Sequence, residues 1–103
     1  MLDGFVPVTR VSELPPGAMT SVVIERERVL VANVGGTLYA LRDVCGHQHV
    51  PLSTGTLWGW VVECPEHYAQ FDVRTGKPLG GPPAADVPTY EVRVEGDTVY
   101  VRR

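Results

Sequence analysis

The sequence predicts an all-β fold, and three observations carry that expectation. Runs rich in β-branched residues recur, foremost Ser21-Val22-Val23-Ile24-Glu25 and Arg28-Val29-Leu30-Val31-Ala32-Asn33-Val34, the composition that packs well on a pleated surface. Gly35-Gly36 and Gly96-Asp97 each separate two such runs at the spacing of a two-residue hairpin, whose turn needs positive φ angles. No stretch sustains the 3.6-residue apolar period of a helix, and no internal repeat or linker interrupts the pattern.

Each element can be justified in order. Phe5-Val6-Pro7-Val8-Thr9 alternates weakly, and Pro7, which has no amide hydrogen to give to a ladder, suits an edge strand. Residues 11–17 contain Pro15-Pro16-Gly17 and read as a turn, or at most one helical turn. Glu25-Arg26-Glu27-Arg28 reads as a solvated turn between the second and third strands. Thr37-Leu38-Tyr39-Ala40-Leu41 follows the glycine pair as the return strand of a hairpin. Residues 56–63 make two short strands turning near Gly59, with Trp58 and Trp60 expected to pack a small local core. Phe71-Asp72-Val73 is a strand with Arg74-Thr75-Gly76-Lys77 as its turn, and Gly80-Gly81-Pro82-Pro83 should exclude regular structure. Residues 90–95 and 98–102 alternate around Gly96-Asp97 and close the chain as its clearest hairpin.

Composition bounds what such a chain does. Its 103 residues suffice for a single domain, 1–103, and are too few for two cofactor-binding units. A net charge of −3 argues against nucleic acid as a partner. No apolar run approaches the roughly 18 residues that span a bilayer, and Met1-Leu2-Asp3-Gly4 is no secretory signal, so the expectation is a soluble, cytoplasmic protein with no membrane partner. In a reducing compartment its two cysteines read as metal ligands rather than a disulfide.

Both cysteines and two of the three histidines fall in one stretch. It reads Cys45-Gly46-His47, then sixteen residues, then Cys64-Pro65-Glu66-His67. Each half supplies one thiolate and one imidazole. That mixed pairing suits a two-iron centre in which one iron takes both sulfurs and the other both nitrogens. A zinc module more often groups two cysteines at one knuckle and two histidines on a helix, although a structural Cys2His2 zinc domain stays open on donor chemistry alone. The sixteen-residue gap accommodates a loop and a short hairpin, enough to bring the second pair back beside the first. His49 has no partner cysteine at a matching spacing and reads as a loop residue.

Cys45-Gly46-His47 and Cys64-Pro65-Glu66-His67, with Pro51-Leu52-Ser53 and residues 71–79 around them, resemble the Rieske iron-sulfur family over roughly residues 29–102. The resemblance implies the Rieske fold: antiparallel, barrel-like β-sheets carrying a small cluster-binding subdomain of two ligand loops, here about residues 44–84. It also implies one Rieske-type [2Fe-2S] cluster held by Cys45, His47, Cys64 and His67, the histidines lying near the surface in the family; residues 80–83 resemble the family's proline loop, which covers the cluster, and read equally well as an ordinary rigid turn. High-potential, membrane-bound members add a second cysteine pair and hydroxyl residues just after the second ligands. This chain has no further cysteine and places Ala69 and Phe71 at those positions. It therefore looks like the soluble ferredoxin of a bacterial aromatic-ring-hydroxylating dioxygenase system, with a potential at the low end of the family's range.

Neighbouring roles in such a system are excluded by residue count. A terminal oxygenase needs a further iron held by two histidines and a carboxylate, and only His49 remains. A reductase needs a nucleotide-binding glycine fingerprint, which is absent. The implied partners are an NAD(P)H-dependent ferredoxin reductase and a terminal oxygenase, with this chain as a monomeric, non-enzymatic carrier between them. The alternative of a different kind is the Rieske-like small subunit of an assimilatory nitrite reductase, fixed in its enzyme. Glu66 and Tyr68 depart from the aromatic and the small residue that relatives often carry there.

Overall fold

In a computed structural model of the chain, the described residues are 3–45, 50–65, 68–81 and 84–102. Among them are ten strands in two antiparallel sheets. They are β1 (Phe5–Arg10), β2 (Met19–Ile24), β3 (Glu27–Val34), β4 (Thr37–Arg42), β5 (Thr56–Trp58), β6 (Val61–Glu63), β7 (Gln70–Asp72), β8 (Pro78–Gly80), β9 (Thr89–Glu95) and β10 (Thr98–Arg102). Six pair in the order β1-β10-β9-β4-β3-β2 and four in the order β5-β6-β7-β8. The ends of the larger sheet, β1 and β2, face one another across a cleft of about 540 Å³ lined by Val6, Val8, Val22 and Ile24, so that sheet curls into a nearly closed barrel.

The expected edge strand is at the edge, and its register slips between Pro7 and Thr9, where the missing amide hydrogen breaks the ladder. Residues 11–13 form a single 3-10 turn. Gly35 and Gly36 take φ of 61° and 100° between the paired residues Val34 and Thr37, the left-handed two-residue turn that their sequence predicts.

The apolar run in β3 has a physical reason that sets the architecture. Successive side chains on a strand point to opposite faces. Val29 and Val31 join Leu14, Ile24, Ala40, Val99 and Val101 inside the barrel, whereas Leu30, Ala32 and Leu41 face a second apolar cluster. That second cluster includes Cys45, Leu52, Val62, Cys64, Ala69, Phe71, Val73 and Val87. β3 and β4 are therefore buried on both faces and join the barrel to the four-stranded sheet.

Four local expectations are corrected. Trp58 and Trp60 do not pack a core: they are 46% and 48% exposed at the β5–β6 turn, and the Arg74 guanidinium lies 4.4 Å over the Trp60 ring. A two-residue turn leaves no room to fold its tips inward. Gly80 is not excluded from regular structure, because β8 pairs with β7 and places Gly80 opposite Gln70. Val73 leaves β7 for the turn. Glu27 and Arg28 belong to β3, and the turn is only Glu25 and Arg26, both held at positive φ (49° and 75°). Two side-chain-bearing residues accept that conformation because the β2–β3 register, Ile24 opposite Glu27, leaves only two residues for the reversal.

The Arg74 on Trp60 also reaches Asp72. Its Nε and Nη2 donate to the two carboxylate oxygens at 3.0 and 2.9 Å, and its backbone N–H adds a third bond at 2.8 Å. The side-chain bonds from Arg74 hold the Asp72 carboxyl below the usual aspartate range. A carboxyl that binds protons less readily folded than unfolded stabilises the fold above its unfolded value, and that stability is lost as pH falls through the folded one. Urea unfolding should therefore show wild type leading Asp72→Asn by about 1–2 kcal/mol at neutral pH, with the gap closing below about pH 4. A gap independent of pH would mean that the ion pair contributes nothing.

Candidate iron-sulfur site

Two hairpins deliver the two cysteines. β4 runs through Asp43 and Val44 to Cys45, and β6 runs directly into Cys64. Both residues are essentially buried (2% and 0% exposed), lie in the same apolar cluster and form no disulfide. The Cys45 N–H donates to the Val50 carbonyl at 2.8 Å, and the Cys64 N–H donates to the Ala69 carbonyl at 2.7 Å. Each cysteine is thus the first residue of a six-residue loop, 45–50 or 64–69, closed from its first residue to its sixth. One loop contains His47 and the other His67.

The second loop joins β6 to β7, with Glu63 paired to Gln70 below it and the Gln70 amide donating to the Glu63 carboxylate at 3.0 Å. Two glycines press against this hairpin. A Cβ on Gly55 would lie 1.9 Å from the Glu63 carbonyl oxygen, and one on Gly81 would lie 2.8 Å from the Tyr68 carbonyl oxygen and 2.9 Å from Ala69 Cα. The segment entering the expected proline loop therefore touches the loop of residues 64–69, while Pro82 and Pro83 themselves lie outside the described residues.

The first loop has a brace that sequence reasoning missed. Asp43, fully buried, accepts the Ser53 N–H at 2.7 Å and the Ser53 hydroxyl at 2.6 Å, while its own N–H donates to Arg28 at 2.9 Å. One carboxylate thus ties the residues before the loop to those after it. The signal in the sequence was an acid two residues before Cys45 with a serine ten residues on. Asp43→Ala should cost about 2–3 kcal/mol in urea unfolding because it strands two Ser53 donors, and Ser53→Ala about 1 kcal/mol because it removes one bond, so the order of the two tests the brace.

Of the residues expected at the site, the structure brings Cys45 and Cys64 together in one cluster. His47, His49, Glu66 and His67 lie outside the described residues, among which no group of three or more metal-binding side chains occurs. The residues present fit a [2Fe-2S] group on the chemistry of the donors. Two buried, undisulfided cysteines at the bases of matched loops offer thiolates to one iron, and each loop carries a histidine for the other. Ala69 and Phe71, 1% and 0% exposed, offer no side-chain hydrogen to a sulfur.

Comparison with known proteins agrees with this chemistry. The sequence model of the family described as Rieske [2Fe-2S] domain matches residues 4–91. The ferredoxin component of biphenyl 2,3-dioxygenase from Rhodococcus jostii RHA1 is 44% identical over 89 residues, 86% of this chain and 83% of that protein. The ferredoxin of carbazole 1,9a-dioxygenase from Nocardioides aromaticivorans IC177 superposes with a TM-score of 0.91 at 33% identity, covering 95% of this chain and 96% of that one. A ferredoxin solved in complex with the oxygenase of a carbazole 1,9a-dioxygenase superposes equally well, 0.91 at 36% identity, over 96% of this chain and 93% of that one. The close relatives are thus ferredoxin components and not catalytic oxygenases, and the all-β, barrel-like fold is theirs. With the match spanning most of its length and its two cysteines seated as the paired loops require, the chain belongs to the Rieske [2Fe-2S] domain family.

Proposed function

We propose that this chain is a single-domain, monomeric ferredoxin, with a cluster-binding subdomain over about residues 44–84, that passes single electrons from an NAD(P)H-dependent flavoprotein reductase to a terminal ring-hydroxylating oxygenase. The observation that carries the reading is the pair of six-residue loops, each closed by a backbone hydrogen bond at its cysteine. Cys45 and Cys64 hold one iron as thiolates, and His47 and His67 hold the other as neutral imidazoles. When bound, the cluster accepts and returns one electron without a proton or a bond being moved at carbon.

The chain's own residues make that exchange fast and reversible. Leu52, Val62, Phe71 and Val73 surround the cysteines and exclude water, and the closed loop bases limit how far the ligands move when the charge changes. The chain works in the cytoplasm, where a reduced thiol pair persists. Among the described residues no helix is long and apolar enough to cross a membrane. Two irons per chain, one electron taken up per chain with a paramagnetic signal on reduction, and product formation by an oxygenase only when this chain links it to a reductase are the expected results. Stoichiometric zinc, or reduction by two electrons, would sink the reading.

A further inference from the structure

Tyr68 is the residue immediately after His67, and its backbone sits at φ 59°, the left-handed region that side chains with a Cβ rarely enter. An aromatic residue there is a conformational outlier. The side chain gains little burial to offset that strain, because Tyr68 is 69% exposed. The conformation is imposed from both sides. The Cys64-to-Ala69 hydrogen bond closes the loop beneath it, and Gly81, itself at φ 86°, lies so close to the Tyr68 carbonyl that no Cβ fits between them. Two residues before Gly81 on the edge strand β8, Leu79 is also exposed, at 52%. An aromatic side chain on strained backbone within the loop that begins at Cys64, and an aliphatic one on β8, thus stand in solvent.

Strained backbone that brings little burial in return clusters at functional surfaces. From this we infer that Tyr68 is a specificity-determining residue for the electron-accepting oxygenase, an aromatic anchor that enters its surface when the cluster is presented. The acceptor is the occupant because the relative with the same fold is held in a complex with its oxygenase, and because an anchor next to His67 keeps the transfer distance short. An exposed aromatic is the residue type that most often dominates such interfaces, and the conformational cost has been met before binding, so the ring arrives already placed.

The inference rests on the carrier role proposed above, and its test separates the two. The reduced holoprotein is titrated into the oxygenases of the biphenyl and carbazole dioxygenase systems, with product formation as the readout, for wild type, Tyr68→Gly and Tyr68→Phe. Tyr68→Gly should raise the KM for the ferredoxin about tenfold with kcat retained, keep the spectrum of the cluster, and melt no lower than wild type. Tyr68→Phe, which keeps the ring, should restore the wild-type KM. No turnover with wild type overturns the carrier role and this inference with it. Turnover with a KM unchanged in Tyr68→Gly overturns this inference alone, as does a melting temperature that falls in Tyr68→Gly, which would make the ring a structural element. A defect confined to reduction by the reductase would assign Tyr68 to the donor and equally overturn it.

Discussion

Replacing His47 and His67 together by cysteine should lower the midpoint potential of the bound cluster by roughly 200 mV or more, toward the −400 mV of four-cysteine plant-type centres. The reason is charge. An oxidised core of two ferric ions and two sulfides is a dication, so two thiolates and two neutral imidazoles bring the site to neutrality, whereas four thiolates make it a dianion. An electron enters a neutral site more readily than an anionic one, and the buried apolar surroundings of Cys45 and Cys64 leave little water to screen the difference. The wild-type starting point should lie near the −150 mV end of the Rieske range, because Ala69 and Phe71 donate no hydrogen bond that would stabilise the reduced, more negative state. A redox titration of wild type and variant measures both. A wild-type midpoint above zero, or a variant midpoint that does not fall, would show that neither ligand charge nor the missing donors set the potential.

What could be read from the sequence divides along a physical line. Features set by near neighbours were legible: the Gly35-Gly36 turn, the edge position of Pro7, the 3-10 turn at residues 11–13, and the two cysteines with their spacing. Each depends on the conformational range of one or two residues or on the bonding of a single side-chain type. Features set by the partner of a segment were not. The double-sided burial of β3 and β4 needs a second sheet on the outer face of the barrel, and the unbroken Val29-Leu30-Val31-Ala32 run marks both faces of β3 as apolar without telling which segment covers the outer one. The same holds for β8, whose Pro78 and Gly80 argue against a strand until β7 supplies the pairing, and for Trp58 and Trp60, whose size suggests a core that their hairpin cannot reach.

The supports of the site were the least legible part. Asp43 and Ser53 look like any polar pair flanking a loop, and only the fold shows the carboxylate fully buried with both Ser53 donors on it. Tyr68 stands out in the sequence only as a departure from relatives, and its strained backbone shows only in the fold. Ligands announce themselves by residue type, whereas the groups that hold them act through geometry that spacing alone does not encode.

Gly55→Ala should cost more stability than any surface change, about 3 kcal/mol or more, and should reach the cluster although Gly55 is no ligand. Its φ of −89° lies outside the left-handed region that favours glycine. The issue is space: the added Cβ would lie 1.9 Å from the Glu63 carbonyl oxygen, 3.0 Å from its carbon and 3.1 Å from Pro65 Cδ. Backbone cannot swing aside as a lysine tip would. Relief requires β6 to move away from the turn at Leu52–Thr54, and β6 ends one residue before Cys64. The strain is therefore delivered to Cys64. The displaced strand must also carry Val62 out of the core it shares with Phe71 and Leu52, which adds a cavity cost to the clash. Gly59→Ala is the matched control: the residue lies at the β5–β6 turn at φ 56° with open space around its Cβ position, so it should cost only the strain of that φ, about 1 kcal/mol, and leave the iron bound. Urea unfolding together with iron retained per chain measures both effects. Equal losses in the two variants would show that Glu63 yields without disturbing Cys64, and that the close approach of Gly55 does not fix the second ligand loop.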